Sequence, residues 1–408
     1  MAAAGVLGAK VERFAPRGGE DETGSNRPEI VATPFAWRDP ATMPRRPYIL
    51  GRLLLRGTVS SAVAPGGLGK SAFMASTALS LASRRAILGE QVWDRPQRVW
   101  LWNLEDDAAE LDRVLLAASL HHGISADDCA DRLFVDSGLD GQGLCTATED
   151  ANGFRIVEPV YEALAAELKR RDIDVLIVDP FVSSHQVSEN DNTKIDAIAK
   201  RWGRLASHCQ CAIVLVHHSR KLAGQAVTAE ASRGAVALIN AARSVLVFNR
   251  MTAEEADRFG INDDAERRRH FTVQDDKHNR APPEKAKWFR IASVPLGNGD
   301  DIGVVEPWTP PDAFEGIDHS VLREVQARVA DGKWRENVQS SDWVGIAVAN
   351  AIGADLDNPT DKSRVKALVK GWIRSDVLRV VEGKDDNHNT RKFVRVGVHV
   401  DSPEGGAE

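Results

Sequence analysis

Short apolar runs alternate with helical patterns along most of the chain. The first clear apolar run begins near Tyr48, and later runs have the length and composition of buried strands. These later runs lie at residues 98–104, 175–178, 212–216 and 244–249. Between them lie stretches such as 158–171, in which Val160, Leu164 and Leu168 share one face of a helix. Strands that alternate with helices predict an α/β fold with a mainly parallel central sheet.

A glycine-rich loop separates the first strong strand, which starts near residue 57, from an alanine-rich helical pattern that runs through residue 82. In such a loop, backbone N–H groups curl around phosphate oxygens, a lysine offsets their charge and the next hydroxyl ligates Mg²⁺. The loop residues are Ala64, Pro65, Gly66, Gly67, Leu68, Gly69, Lys70, Ser71 and Ala72. We therefore predict that Lys70 and Ser71 bind ATP and Mg²⁺, although Ala64 stands where the P-loop consensus has its first glycine.

Carboxylates follow two of the predicted strands. Asp179 ends the run 175–178, where a carboxylate is typical of a magnesium site opposite a P-loop. Glu105 follows the run 98–104, and we predict that it orients or deprotonates the attacking water. Two structural alternatives stay open: Asp179 as the cap of a turn, and Glu105 as a favourable charge at a helix N-terminus.

Two adjacent histidines, His217 and His218, stand where the run 212–216 opens into a polar, basic cluster. The carboxyl ends of parallel strands are where ligands bind in α/β proteins. We predict that these histidines sense the γ-phosphate and relay its loss, and the alternative is an ordinary exposed turn.

The alternation of strand and helix patterns ends at the proline-rich segment 308–311, which indicates a domain boundary. We predict a flexible tail at 1–45, a RecA-like ATPase domain at 46–310, a small α+β domain at 317–400 and a tail at 401–408. Helical stretches at 321–330, 343–352 and 362–375 precede β-like runs at 377–381 and 391–396, an order that resembles a winged helix. Basic residues that would suit DNA phosphates, or merely a solvated face, are Lys362, Arg364, Lys366, Lys370, Arg374, Arg391, Lys392 and Arg395.

The composition narrows the class of protein. Hydrophobic residues make up 43% and charged residues 27% of the chain, as in globular proteins. The net charge of -7 excludes a protein that coats nucleic acid through overall basicity. No apolar run is long enough for a membrane helix, and no secretion signal opens the chain, so we expect a cytoplasmic protein without a membrane partner. The spacing of His208, Cys209 and Cys211 does not favour a metal site.

Taken together, these segments resemble the RepA-like hexameric replicative helicases, a branch of the RecA/DnaB-like ATPases of plasmids, phages and prophages. The resemblance covers roughly residues 46–295. It implies that Glu105 is the catalytic base, that Asp179 positions magnesium and that the segment 217–221 is the family's histidine element. The segments 232–234 and 239–243 look like the family's elements around an interfacial arginine, which makes Arg243 the finger that reaches a neighbour's nucleotide. Lys277 would lie near the same interface, and a solvated surface charge is its alternative.

The expected function is Mg²⁺-dependent ATP hydrolysis coupled to DNA binding or remodelling, as in a replicative helicase of a mobile element. The resemblance implies single-stranded DNA and a homo-oligomeric ring, a hexamer, as partners. A rival function is a nucleotide-switched DNA-binding regulator or helicase loader that does not unwind DNA. A small-molecule kinase is a third class, which would need a lid and an acceptor site that nothing in the sequence demands.

Overall fold

The structure is a computed structural model, and it describes residues 31–141, 143–151, 153–219, 236–278, 286–385 and 388–400. The described residues divide into two units, 31–45 and the part that begins at Arg46, and every element below belongs to the second. The domain limits that the sequence suggested stay predictions.

The helices and strands alternate along the chain as the hydrophobic pattern predicts. The helices are α1 (Lys70–Ser83), α2 (Ala108–His122), α3 (Ala126–Cys129), α4 (Glu158–Arg170), α5 (Asn192–Cys209), α6 (Val236–Ala241), α7 (Ala253–Phe259), α8 (Asp264–Arg269), α9 (His319–Ala330), α10 (Val344–Ile352) and α11 (Pro359–Arg374). The strands are β1 (Tyr48–Leu50), β2 (Leu54–Leu55), β3 (Val59–Pro65), β4 (Val99–Asn103), β5 (Leu133–Ser137), β6 (Ala147–Asp150), β7 (Gly153–Ile156), β8 (Val175–Asp179), β9 (Ala212–Ser219), β10 (Ser244–Arg250), β11 (His270–His278), β12 (Lys287–Pro295), β13 (Asp301–Pro307), β14 (Trp334–Arg335), β15 (Leu378–Lys384) and β16 (Thr390–Val396).

The central sheet has nine strands in the order β13-β12-β11-β10-β3-β9-β8-β4-β5. Strands β10, β3, β9, β8, β4 and β5 are parallel, whereas β11, β12 and β13 extend the sheet antiparallel. This mostly parallel sheet confirms the predicted α/β fold. The sequence analysis did not predict β5, β12 or β13, because polar residues interrupt the apolar ones in these strands and weaken their apolar signal.

Successive residues of the central strands pack on opposite faces of the sheet. In β9, Val214 and Val216 join the core under α1, whereas Ile213 and Leu215 join the core under α5, where Trp202 is fully buried. This alternation follows from the two-residue period of a strand. Both faces are covered, so the strands are apolar on both sides and the parallel arrangement is stable.

A buried carboxylate ties the amino ends of the strands together. Asp174, just before β8, accepts hydrogen bonds of 2.9 Å from both terminal nitrogens of Arg95 and from the backbone N–H of Arg98. Arg56 lies 2.7 Å from the same carboxylate. The four contacts satisfy a charge that is otherwise expensive to bury, and they hold the edge of the sheet opposite the glycine-rich loop.

The carboxy-terminal elements follow the order α9-β14-α10-α11-β15-β16, and the antiparallel strands pair in the order β14-β16-β15. Their core contains Val325, Val344, Leu368, Trp372 and Val394. The predicted helices and β-like runs of this region are present, and β14 was not predicted. None of the described helices has the length and apolar character needed to cross a bilayer.

Candidate nucleotide-binding site

The carboxyl ends of four parallel strands bring the predicted chemical groups to one edge of the sheet. Ala64 in β3 pairs with His218 in β9, and Asn103 in β4 pairs with Asp179 in β8. The strand order β3-β9-β8-β4 then places the glycine-rich loop, the histidines, Asp179 and Glu105 side by side. The sequence analysis predicted these four groups separately, and the sheet topology brings them together.

The glycine-rich loop leads from β3 directly into the N-terminus of α1. Gly69 caps the helix with a φ of 82°, and Gly67 has a φ of 70°, conformations that side chains with a Cβ rarely adopt. A Cβ on Gly66 or Gly67 would meet nothing within 4 Å, so the loop borders open space on that side. An exposed glycine-rich loop that leads into a helix N-terminus is an arrangement that can bind a phosphate.

The ammonium group of Lys70 is buried against this loop. Its Nζ donates to the carbonyl oxygens of Ala64 at 3.0 Å and Pro65 at 3.4 Å, and it lies 2.9 Å from Nδ1 of His218. Burial lowers the pKa of Lys70 to about 8, and the charges of Asp179 and Glu105 act in the opposite direction. The lysine is therefore held, still mostly charged at neutral pH, at the position where it can turn to a phosphate.

Asp179 and Ser71 supply the oxygens that a magnesium ion would take from the protein. The Asp179 side chain is 3% exposed, and its Oδ2 has no hydrogen-bond partner. Burial raises the pKa of Asp179 to about 6, while Ser71 and Lys70 act to lower it. A buried carboxylate oxygen without a partner, beside a hydroxyl, fits a hard cation that completes its shell with waters and phosphate oxygens. Bound Mg²⁺ would there neutralise phosphate charge.

Glu105 is held at the mouth of the site by Asn103, a residue that the sequence analysis did not single out. The side-chain Oδ1 of Asn103 accepts from the backbone N–H groups of Glu105 and Asp106, both at 2.8 Å, and its Nδ2 donates to the Asp106 carboxylate at 2.9 Å. The Glu105 carboxylate lies 3.7 Å from Nε2 of His218. An asparagine at a strand end, just before acidic residues, is the signal that points to such a turn.

Arg250 is a second residue of the site that the sequence analysis missed, after Asn103. It ends β10, and its guanidinium donates to the carbonyl oxygen of Gly67 at 3.0 Å. The contact fixes the tip of the glycine-rich loop from the neighbouring strand. Its sequence signal is weak, because one arginine at a strand end resembles any exposed charge.

The two predicted histidines have different environments. His218 contacts Lys70 and faces Glu105, and its pKa is lowered, chiefly by burial. His217 points to the other face, where burial lowers its pKa to about 4 and keeps it neutral at pH 7. Its Nδ1 lies 3.5 Å from Glu189 Oε1 without forming a hydrogen bond. Only His218 touches the groups around the glycine-rich loop.

Arg243 and Lys277 lie at the opposite edge of the sheet. The backbone N–H of Arg243 donates to Val59, the first residue of β3, whereas the glycine-rich loop follows the last. Lys277 donates to the carbonyl oxygens of Ile239, Asn240 and Ala242 at 2.7, 3.0 and 3.2 Å, and so caps the end of α6. Within one chain, neither residue joins the site, and their roles at a subunit interface stay predictions. The predicted elements at 220–221, 232–234 and 279–283 lie outside the described residues.

Among known protein families, the model of the AAA domain matches residues 24–224. This part of the chain is a P-loop ATPase domain. The match includes the glycine-rich loop, Glu105, Asp179 and both histidines, whereas Arg250 lies beyond it. Arg243, Lys277 and the carboxy-terminal elements lie beyond the matched residues. The match therefore supports nucleotide binding and ATP hydrolysis, and it says nothing about the residues beyond 224.

Proposed function

We propose that the protein is a Mg²⁺-dependent ATPase of the RepA-like kind, which couples ATP hydrolysis to the binding and remodelling of DNA as an oligomeric ring. The proposal rests on one observation. Five side chains lie together at the carboxyl edge of the parallel sheet: Lys70, Ser71, Asp179, Glu105 and His218. Lys70 and Ser71 hold phosphates, Glu105 orients water, and His218 connects the two.

The position of Arg243 supports a composite site between subunits. Its side chain is exposed at the amino edge of the sheet, where it lines a groove with Lys200 and Arg204 of α5. An arginine that cannot reach the nucleotide of its own chain can serve a neighbour's, where a guanidinium stabilises the charge on the γ-phosphate. A ring, of six subunits in this proposal, would place every Arg243 against the next nucleotide.

The carboxy-terminal elements support DNA binding. Their element order and their β14-β16-β15 sheet support a winged helix, in which α11 would be the recognition helix and β15 and β16 would form the wing. Lys362, Lys370 and Arg374 are exposed on α11. The same elements favour the second candidate, a nucleotide-switched DNA-binding regulator or helicase loader without unwinding activity.

ATP turnover with and without single-stranded DNA tests the proposal. We expect DNA to stimulate the wild type, and Lys70→Ala and Arg243→Ala each to lower stimulated turnover by about a hundredfold or more. Arg269→Ala, which removes an exposed arginine of α8, is the control and keeps full turnover. Oligomer mass recorded alongside should show a multimer for every variant.

Two results decide between the candidates. Turnover that ignores DNA and survives Arg243→Ala would exclude the interfacial finger and favour the nucleotide-switched regulator. Strand separation by the wild type that disappears in Lys70→Ala would establish the helicase.

A further inference from the structure

One face of α11 is covered by an element outside the carboxy-terminal unit. Val365, Leu368 and Trp372 point into the carboxy-terminal core, whereas Ser363 lies about 200° around the helix from Val365 and points away from it. Ser363 is nevertheless buried, at 6% exposure. An outward-pointing side chain that is buried must be covered by another element.

That element is α7, which follows β10. The Ser363 hydroxyl donates to the backbone carbonyl of Asp257, and the Lys366 ammonium lies 3.5 Å from the Asp257 carboxylate. A Cβ placed on Gly260, the residue that ends α7, would lie 2.9 Å from Cα of Thr360. The backbones of α7 and α11 are therefore in direct contact over the amino-terminal half of α11.

The covering helix is itself held firmly. The Phe259 ring lies 5.4 Å from Trp288 in β12 and 5.5 Å from Trp308, the residue after β13. The N-terminus of α7 is closed by a capping box between Thr252 and Glu255. Because α7 is anchored to the central sheet, the whole of α11 must move away from α7 if its outward face is to be exposed.

We propose that α7 masks a duplex-DNA contact surface on α11, so that the structure is an autoinhibited state of the DNA-binding unit. The inference rests on the proposed function, in which α11 is the recognition helix. The amino-terminal part of a recognition helix is the part that enters the major groove, and this is the part that α7 covers. Asp257 occupies with its carboxylate the place beside Lys366 that a DNA phosphate would take.

The position of α7 connects this mask to the nucleotide. Arg250, which contacts the carbonyl of Gly67 in the glycine-rich loop, stands two residues before Thr252, the cap of α7. A change in the loop on binding phosphate therefore has a short covalent path to the covering helix. Nucleotide binding at the loop could therefore change the contact between α7 and α11 during the ATPase cycle.

The test uses the full chain and a fluorescent DNA duplex, with affinity read by anisotropy at one fixed salt concentration. Gly260→Ala places a methyl group against the Thr360 backbone and forces α7 and α11 apart. Gly123→Ala is the matched control, because Gly123 also ends a helix with positive φ but its Cβ would meet nothing within 4 Å. Both substitutions carry the same kind of backbone strain, and only one creates a clash.

We expect Gly260→Ala to bind duplex at least about fivefold more tightly than the wild type, because a larger fraction of molecules is then competent to bind. Gly123→Ala should match the wild type. Adding Lys362→Ala and Lys370→Ala, exposed positions on α11, should abolish the gain. Asp257→Ala, which removes only the pair to Lys366, should give a smaller gain, and Glu162→Ala on α4, an equal loss of charge, should give none.

The outcomes separate the mask from the DNA contact. If Gly260→Ala and the wild type bind duplex equally, and both lose affinity with the two lysine substitutions, α11 binds DNA and the mask is wrong. If the gain in Gly260→Ala survives the lysine substitutions, another surface binds DNA and the inference is overturned. If no form binds duplex while ATP turnover is intact, the proposed DNA-binding role of this unit fails, and the mask fails with it.

Discussion

The Lys70 ammonium lies 2.9 Å from Nδ1 of His218. A lysine ammonium has only donors, so Nδ1 accepts and the ring carries its proton on Nε2. That Nε2 lies 3.7 Å from the Glu105 carboxylate. One imidazole therefore lies between the residue that we assign to phosphate binding and the residue that we assign to the attacking water.

The bridging position of His218 predicts a defect in turnover rather than in binding. His218→Ala should lower kcat about tenfold, the cost of one oriented hydrogen-bonding group, and change nucleotide affinity less than about threefold. Steady-state turnover and nucleotide titration measure the two effects. His208→Ala, which removes a histidine on the outside of α5, is the control. Wild-type kcat in His218→Ala would exclude the bridge.

The lowered pKa of Lys70 predicts an alkaline limit to nucleotide binding. Lysine is charged below its pKa, so a pKa of about 8 means that attraction for phosphate is lost as the pH rises through 8, far below the 10.5 of an ordinary lysine. The affinity of the free protein for a fluorescent ATP analogue should fall over this range. Lys70→Ala should bind weakly at every pH, and an identical alkaline limb in that variant would assign the titration to another group.

Asp179→Asn should raise the magnesium requirement. The substitution keeps the side-chain shape but removes the buried charge whose Oδ2 has no partner. We expect the Mg²⁺ concentration for half-maximal turnover to rise about tenfold or more, since carboxylates are the protein ligands that Mg²⁺ prefers. Affinity for ATP without magnesium should not fall. Asp136→Asn, on the edge strand β5 of the same sheet, is the control. An unchanged magnesium requirement in Asp179→Asn would remove Asp179 from the metal site.

The contact between Arg250 and Gly67 predicts a preorganised loop. Arg250→Gln removes an exposed guanidinium that fixes the loop tip, so nucleotide affinity should fall about threefold to fivefold, the range for an exposed charge-assisted contact. Isothermal titration with ADP measures the change. Arg258→Gln, on α7, should bind like the wild type. Equal affinities for all three proteins would show that the loop needs no anchor.

Asp174 predicts a stability effect without an effect on the site. Asp174→Ala leaves Arg56 and Arg95 without their shared carboxylate, and we expect the free energy of unfolding to fall by about 3 kcal/mol. Asp196→Ala breaks an exposed pair to Lys200 on α5 and should cost about 0.5 kcal/mol. Chemical denaturation followed by tryptophan fluorescence compares them. Similar losses in both variants would contradict the role of Asp174.

Much of the fold was readable from local pattern. The strands at β3, β4, β8, β9 and β10 and the helix α4 were predicted close to their observed bounds, because buried parallel strands are continuous apolar runs and amphipathic helices repeat with their own period. The glycine-rich loop was found for a similar reason, since a close approach of backbone to phosphate demands glycines at fixed positions.

The sequence by itself determined which groups the site contains: the loop with Lys70 and Ser71, and strand-end residues such as Asp179 and Glu105. Only the tertiary structure decided how they meet, because strand order and register are set by packing between distant segments. The strand order and register place His218 rather than His217 against Lys70, and they add Asn103 and Arg250 to the site. They also place Lys277 at the opposite edge of the sheet, where it caps the end of α6. The contact of α7 with α11 has no local signal at all, since each helix is amphipathic toward its own core and their meeting depends on the path of the chain between them.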